Sequence, residues 1–86
     1  MEYESLSDYF MDIEKFIDEL SENKKVEASR KLSECFKHIN GSTDKWMMFY
    51  RNLLSIKEEY ERKFSENENL KIDDFIKAAK KVVHKL

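Results

Sequence analysis

Turn-forming residues are almost missing from this chain of 86 residues, which contains one glycine, Gly41, and no proline. Many tight β-turns depend on glycine or proline at positions that other residues occupy only with strain. Apolar residues make up 41% of the chain and charged residues 40%, a balance typical of helical bundles rather than of disordered polymers. The sequence therefore predicts a single all-α domain spanning residues 1–86 and argues against a β-sandwich or barrel.

Apolar residues recur every three or four positions in four segments, which is the spacing of amphipathic helices. We expect these helices to span residues 5–21, 24–40, 43–64 and 73–86. Because the polar stretches between the segments are short, consecutive helices should pack as antiparallel neighbours. The fold expected from this pattern is an antiparallel up-down-up-down four-helix bundle.

Polar residues and the single glycine suggest where these helices begin and end. Ser5 or Ser7 can cap the first helix, and the pair Asn40–Gly41 supplies the left-handed residue that ends many helices. Five polar residues at positions 65–69 predict a connector after the third helix, with Asp73 or Asp74 capping the fourth.

The apolar stripes also predict which side chains form the core of the bundle. The predicted core residues are Phe10, Ile13, Ile17, Leu32, Phe36, Trp46, Phe49, Leu53, Tyr60, Phe75, Ala79 and Val82.

Acidic residues are concentrated at the start of the chain, where the first 22 residues contain eight acids and one base. The segments expected to form the second and fourth helices are net basic, so an up-down bundle places the acidic helix between two basic ones. Asp8, Asp12 and Glu19 are expected to face away from both neighbours. Such a strip suits electrostatic steering toward a basic protein surface, with Met11 as an apolar anchor.

These features predict a small non-enzymatic protein-binding domain of the inhibitor, immunity-protein or adaptor type, by analogy of size and charge. The residues expected at the interface with the partner are Asp8, Met11, Asp12, Asp18 and Glu19.

An alternative function is that of a homo-oligomeric structural bundle, because the apolar face of the third helix is wider than one core requires. The expected oligomer edge consists of Met47, Met48, Arg51 and Leu54. The chain is thus expected to be a monomer or a homodimer.

Two side chains raise the question of catalysis. His38, followed by Asn40 and Gly41, resembles the reactive region of histidine phosphotransfer domains, which are also helical bundles, but Asn40 stands where those domains have a basic residue. Cys35 lies three residues before His38, yet it falls on the apolar stripe, which favours a buried thiol over a nucleophile. The prediction is therefore no enzyme, no metal site and no cofactor, with phosphotransfer as the weakest alternative.

Net charge and hydropathy narrow the classes of partner and location. A net charge of −2 argues against binding to a nucleic-acid backbone, and no apolar run has the roughly 18 residues that a membrane span needs. The single cysteine and the acidic first residues predict a cytoplasmic protein.

Overall fold

The computed structural model describes residues 6–37, 39 and 43–85, and these contain four helices and no strand. The helices are α1 (Leu6–Glu22), α2 (Val26–Lys37), α3 (Thr43–Tyr60) and α4 (Glu66–Lys85). Each helix packs against the next along the chain, and α1 also packs against α4, which closes the ring. This arrangement confirms the predicted all-α, up-down-up-down four-helix bundle.

The core lies at the centre of the ring and receives side chains from all four helices. Eight of the predicted core residues are buried: Ile13, Leu32, Trp46, Phe49, Leu53, Tyr60, Phe75 and Ala79. The other four, Phe10, Ile17, Phe36 and Val82, are half-buried and pack against the core from its edge. Buried apolar residues outside the predicted set are Tyr9, Phe16, Leu20, Ala28, Ile56, Phe64 and Ile72.

Aromatic contacts join α1 to α3, which lies diagonally across the core, and to the neighbouring α4. The Tyr9 ring of α1 lies 6.1 Å from Trp46 and 6.5 Å from Phe49 on α3, and 5.9 Å from Phe75 on α4. The Tyr9 hydroxyl donates a hydrogen bond of 2.8 Å to the carbonyl oxygen of Phe75. A buried tyrosine therefore contributes apolar area without leaving its polar end unsatisfied.

The turn between α1 and α2 is a Schellman motif built without glycine. The Lys25 amide donates to the Leu20 carbonyl at 2.8 Å, and the Lys24 amide donates to the Ser21 carbonyl at 3.1 Å. Lys24 adopts φ of 65°, the left-handed conformation that side chains with a Cβ disfavour. The Lys25 carbonyl then accepts the Ser29 amide at 3.0 Å, so α2 starts immediately after the turn.

Replacing Lys24 with glycine should raise the free energy of unfolding by about 0.5–1 kcal/mol. Glycine removes the strain of the left-handed conformation, and this gain exceeds the extra conformational entropy that glycine loses on folding. Urea denaturation measures this change. The Glu22→Gly variant is the control, since Glu22 is the last residue of α1 and has helical backbone angles that glycine disfavours. The free energy of unfolding of this variant should fall by about 1 kcal/mol. A destabilised Lys24→Gly variant would contradict this account of the turn.

The boundary between α3 and α4 differs most from the prediction. α3 ends at Tyr60 rather than at residue 64, and α4 begins at Glu66 rather than at Asp73. The polar stretch expected to be a connector is instead the first turn of α4, because Ser65 and Glu68 form a capping box. The Glu68 amide donates to Ser65 Oγ at 3.2 Å, and the Ser65 amide donates to Glu68 Oε1 at 2.8 Å.

Phe64 explains why the third apolar stripe seemed longer than the helix. The chain turns after Tyr60, yet Phe64 folds back into the core, where its ring lies 6.0 Å from Tyr60 and 6.4 Å from Phe16. Asn69 of α4 stabilises this turn, because its Nδ2 donates a hydrogen bond of 3.0 Å to the Glu61 carbonyl.

α2 is shorter than predicted, since it starts at Val26 rather than at residue 24 and ends at Lys37 rather than at residue 40. The left-handed Lys24 accounts for the later start. The predicted roles of Ser5 as a cap and of Asn40–Gly41 as a helix stop lie outside the described residues.

Candidate partner-binding surface

The outward side of α1 carries an exposed acidic strip. Asp8, Met11, Glu14, Asp18 and Glu22 recur every three or four residues, and all five are exposed. We call these five residues the α1 outer strip. Among the described residues, Glu14, Asp18 and Glu22 have no ion-pair partner. We predicted Asp8, Met11 and Asp18 as interface residues but not Glu14 and Glu22, although the helical spacing places these two on the same outward side.

Met11 lies within this acidic strip with 65% of its surface exposed, the largest fraction among the large apolar residues described. Methionine is flexible and polarisable, and it suits surfaces that adapt to a partner. The neighbouring carboxylates keep this apolar contact point surrounded by negative charge.

Asp12 does not face away from its neighbours, as the sequence analysis expected. Its two carboxylate oxygens accept hydrogen bonds from Lys71 Nζ of α4 at 3.0 and 2.9 Å. The expectation was wrong because Lys71 had been assigned to a connector. α4 in fact starts at Glu66, so Lys71 lies on this helix beside Asp12 of α1. Glu19, also expected to face outward, is half-buried.

Charged side chains join the helices around the ring. Lys57 of α3 pairs with Asp73 of α4, and Lys31 of α2 pairs with Glu59 of α3 at 2.8 Å. Together with the pair between Asp12 and Lys71, these contacts use part of the charge of each helix within the molecule. Glu14, Asp18 and Glu22 of the α1 outer strip, which have no ion-pair partner in the described part of the chain, remain available to a partner.

Glu68 is a buried carboxylate at the end of the bundle where the turn between α1 and α2 lies beside the turn between α3 and α4. Besides closing the capping box, it pairs with Lys25 and accepts a hydrogen bond from Asn23 Nδ2 at 3.0 Å. Burial alone would raise the pKa of this carboxyl, but the hydrogen bonds from Lys25, Ser65 and Asn23 outweigh burial and lower it. The role of Glu68 is structural, since its oxygens are occupied by the protein itself.

The predicted oligomer edge lies on the outward side of α3. Met48 is 56% exposed and Leu54 is 41% exposed, while Arg51 is exposed and Met47 is half-buried. The structure thus leaves apolar area uncovered on this side of the bundle, as the sequence analysis expected.

A groove of about 400 Å³ runs between α2 and α3 beside Cys35. Its lining consists of Lys31, Glu34, Cys35, Asn52, Ser55, Ile56 and Glu59. The Cys35 thiol donates to the Leu32 carbonyl at 3.2 Å, and burial raises the pKa of the thiol from its ordinary 9.0 to about 11. A thiol with so high a pKa is poorly ionised at neutral pH, which disfavours nucleophilic chemistry. His38 lies outside the described residues.

The described residues contain no group of three or more His, Cys, Asp or Glu side chains placed to hold a metal ion. Exposed basic side chains of α4 form a patch near its C-terminal end, which consists of Lys77, Lys80, Lys81 and His84. None of the four helices combines the length and the apolar character that crossing a membrane requires.

Comparisons with known proteins return no relative from which a role could be transferred. No protein-family model matches the chain, and neither a curated protein nor a solved structure matches it.

Proposed function

We propose that this bundle is a non-enzymatic protein-binding domain, of the inhibitor, immunity-protein or adaptor type, that binds a basic surface of another protein through the α1 outer strip. The observation that carries the proposal is Met11, a largely exposed apolar side chain set among exposed carboxylates. An apolar contact surrounded by charge is the arrangement of many protein interfaces, whose centre is apolar and whose rim is polar.

The internal ion pairs support this choice of surface. Asp12 is neutralised by Lys71, whereas Glu14, Asp18 and Glu22 have no such partner in the described part of the chain. Unpaired charges of one sign on a rigid helix attract a surface of opposite sign over a distance of about 8 Å at physiological salt. We therefore expect the strip to speed association more than it strengthens the final complex.

Cys35 supports a binding role over thiol catalysis, because its raised pKa keeps it in the protonated form. The cysteine has no second cysteine in the sequence with which to form a disulfide. A reduced thiol fits the cytoplasm, which we propose as the location of the protein.

The test begins by capturing binding proteins from an extract of the source cells with the immobilised chain, at a salt concentration of about 50 mM. Association rates are then measured with the purified partner for the wild type and for a variant with Asp18→Lys and Glu22→Lys. We expect the charge reversal to slow association about tenfold or more at low salt and to leave the melting temperature nearly unchanged.

The matched control reverses Glu34 and Glu61, which are exposed on α2 and on the turn after α3. This control changes the net charge by the same amount, so it separates the effect of the strip from that of overall charge. If both variants bind the partner as fast as the wild type, the acidity of α1 serves only to order the helices within the bundle.

A further inference from the structure

The outward side of α3 carries a second strip, which differs from the first in having both signs of charge. Met47, Arg51, Leu54 and Glu58 follow one another at spacings of four, three and four residues, which is the spacing of a coiled-coil seam. Arg51 and Glu58 are exposed, and Leu54 between them is 41% exposed. We call these four residues the α3 seam; the exposed Met48 flanks it.

Neither charge of the α3 seam has a partner of opposite charge among the residues that the structure describes. The residues one helical turn from Arg51 are Met47, Met48, Leu54 and Ser55, none of which is acidic. In the described residues, Arg51 and Glu58 have no ion-pair partner. They lie two turns apart, about 10 Å along the helix, which is too far for them to pair with each other.

We propose that the α3 seam is the contact surface between two copies of this chain, with the two α3 helices antiparallel about a twofold axis. If the axis passes beside Leu54 and Ser55, midway between Arg51 and Glu58, each arginine faces the glutamate of the other copy. Two equivalent ion pairs then flank an apolar centre made by the two Leu54 side chains. A parallel pair would instead place arginine against arginine, so the charges specify the antiparallel orientation.

The size of this surface sets the strength of the dimer. One helix from each copy covers less than the roughly 1,200–2,000 Å² in total that stable interfaces bury, so the dimer is weak and forms at high concentration. Since α3 lies diagonally across the bundle from α1, the dimer leaves both α1 outer strips exposed. The proposal is thus independent of the function proposed above.

Sedimentation equilibrium of the full chain, from about 10 μM to 1 mM, tests the dimer. At low salt we expect the mean mass of the wild type to rise from 10.4 kDa toward twice that value. The Arg51→Glu and Glu58→Arg variants should each dimerise about tenfold more weakly, and the double variant should recover association to within about threefold. The control Arg30→Glu, on the exposed side of α2, should dimerise like the wild type.

Three results would overturn the proposal: a wild type that stays monomeric at 1 mM and low salt, single reversals that dimerise as the wild type does, or a double variant no better than the single ones. The wild-type measurement needs no substitution, so it decides the question even if a variant fails to fold. Circular dichroism of each variant confirms that the helices are intact.

Discussion

Truncating Phe49 to alanine should lower the free energy of unfolding by about 3–5 kcal/mol. The Phe49 ring is 1% exposed and lies against Tyr9 and Trp46, with ring centroids 6.5 and 6.0 Å away and both contacts edge-on. Because all four helices enclose the core, the structure cannot collapse into the space without disturbing several contacts. The loss is a large share of the roughly 5–15 kcal/mol that stabilises a typical small domain.

Urea denaturation followed by circular dichroism gives this value from the shift in the unfolding midpoint. Met48→Ala is the matched control, since Met48 is the neighbouring residue of the same helix but is 56% exposed. Its effect should stay within about 0.5 kcal/mol. Equal losses in the two variants would mean that α3 turns a different face to the core.

Replacing Glu68 with alanine should lower the free energy of unfolding by about 2–4 kcal/mol, because it removes three interactions, with Asn23, Lys25 and the Ser65 amide, and leaves Lys25 partly buried without its counter-ion. Glu68 is only 5% exposed, so water replaces those contacts poorly. Glu66→Ala is the control, since Glu66 is exposed in the same first turn of α4. A Glu68→Ala variant as stable as Glu66→Ala would show that the two turns do not depend on this carboxylate.

The pH dependence of stability has a definite sign at Glu68. Its pKa in the folded protein is lower than its ordinary value of about 4.5, so the folded state favours the ionised form. This contribution is fully present above the unfolded pKa and is lost as the pH falls from there through the folded pKa. The Glu68→Gln variant should therefore lose less stability than the wild type between about pH 6 and pH 3, measured by urea denaturation at each pH.

The helices themselves could be predicted from the sequence because each buries one apolar stripe, and the spacing of a stripe is visible without knowledge of its neighbours. The start of α4 could also have been found, since Ser65 and Glu68 have the spacing of a capping box. The apolar spacing misled instead: Phe64 continues the stripe of α3 although the helix has ended at Tyr60. Apolar periodicity shows which side chains are buried, and it does not show where a helix ends. Because the turn after α3 directs Phe64 into the core, the periodicity continues beyond the end of the helix.

Which charged side chains are exposed or paired was harder to predict, because this depends on where each helix starts and therefore on which residues of neighbouring helices lie side by side. Asp12 was expected to be exposed, and only the early start of α4 brings Lys71 to it. The contacts of Glu68 with Asn23 and Lys25 join residues more than 40 positions apart, which no local pattern indicates. By contrast, Met11 and Met48 were expected at the surface because they lie opposite their apolar stripes, and both are exposed.

The most direct test of the proposed function is to map the bound partner on the chain by nuclear magnetic resonance, titrating the purified partner at low salt into the isotopically labelled protein. The proposal predicts that the largest changes in amide signals occur at Met11, Glu14, Asp18 and Glu22. Changes confined to the groove beside Cys35 or to the basic patch of α4, with the α1 outer strip unaffected, would contradict it.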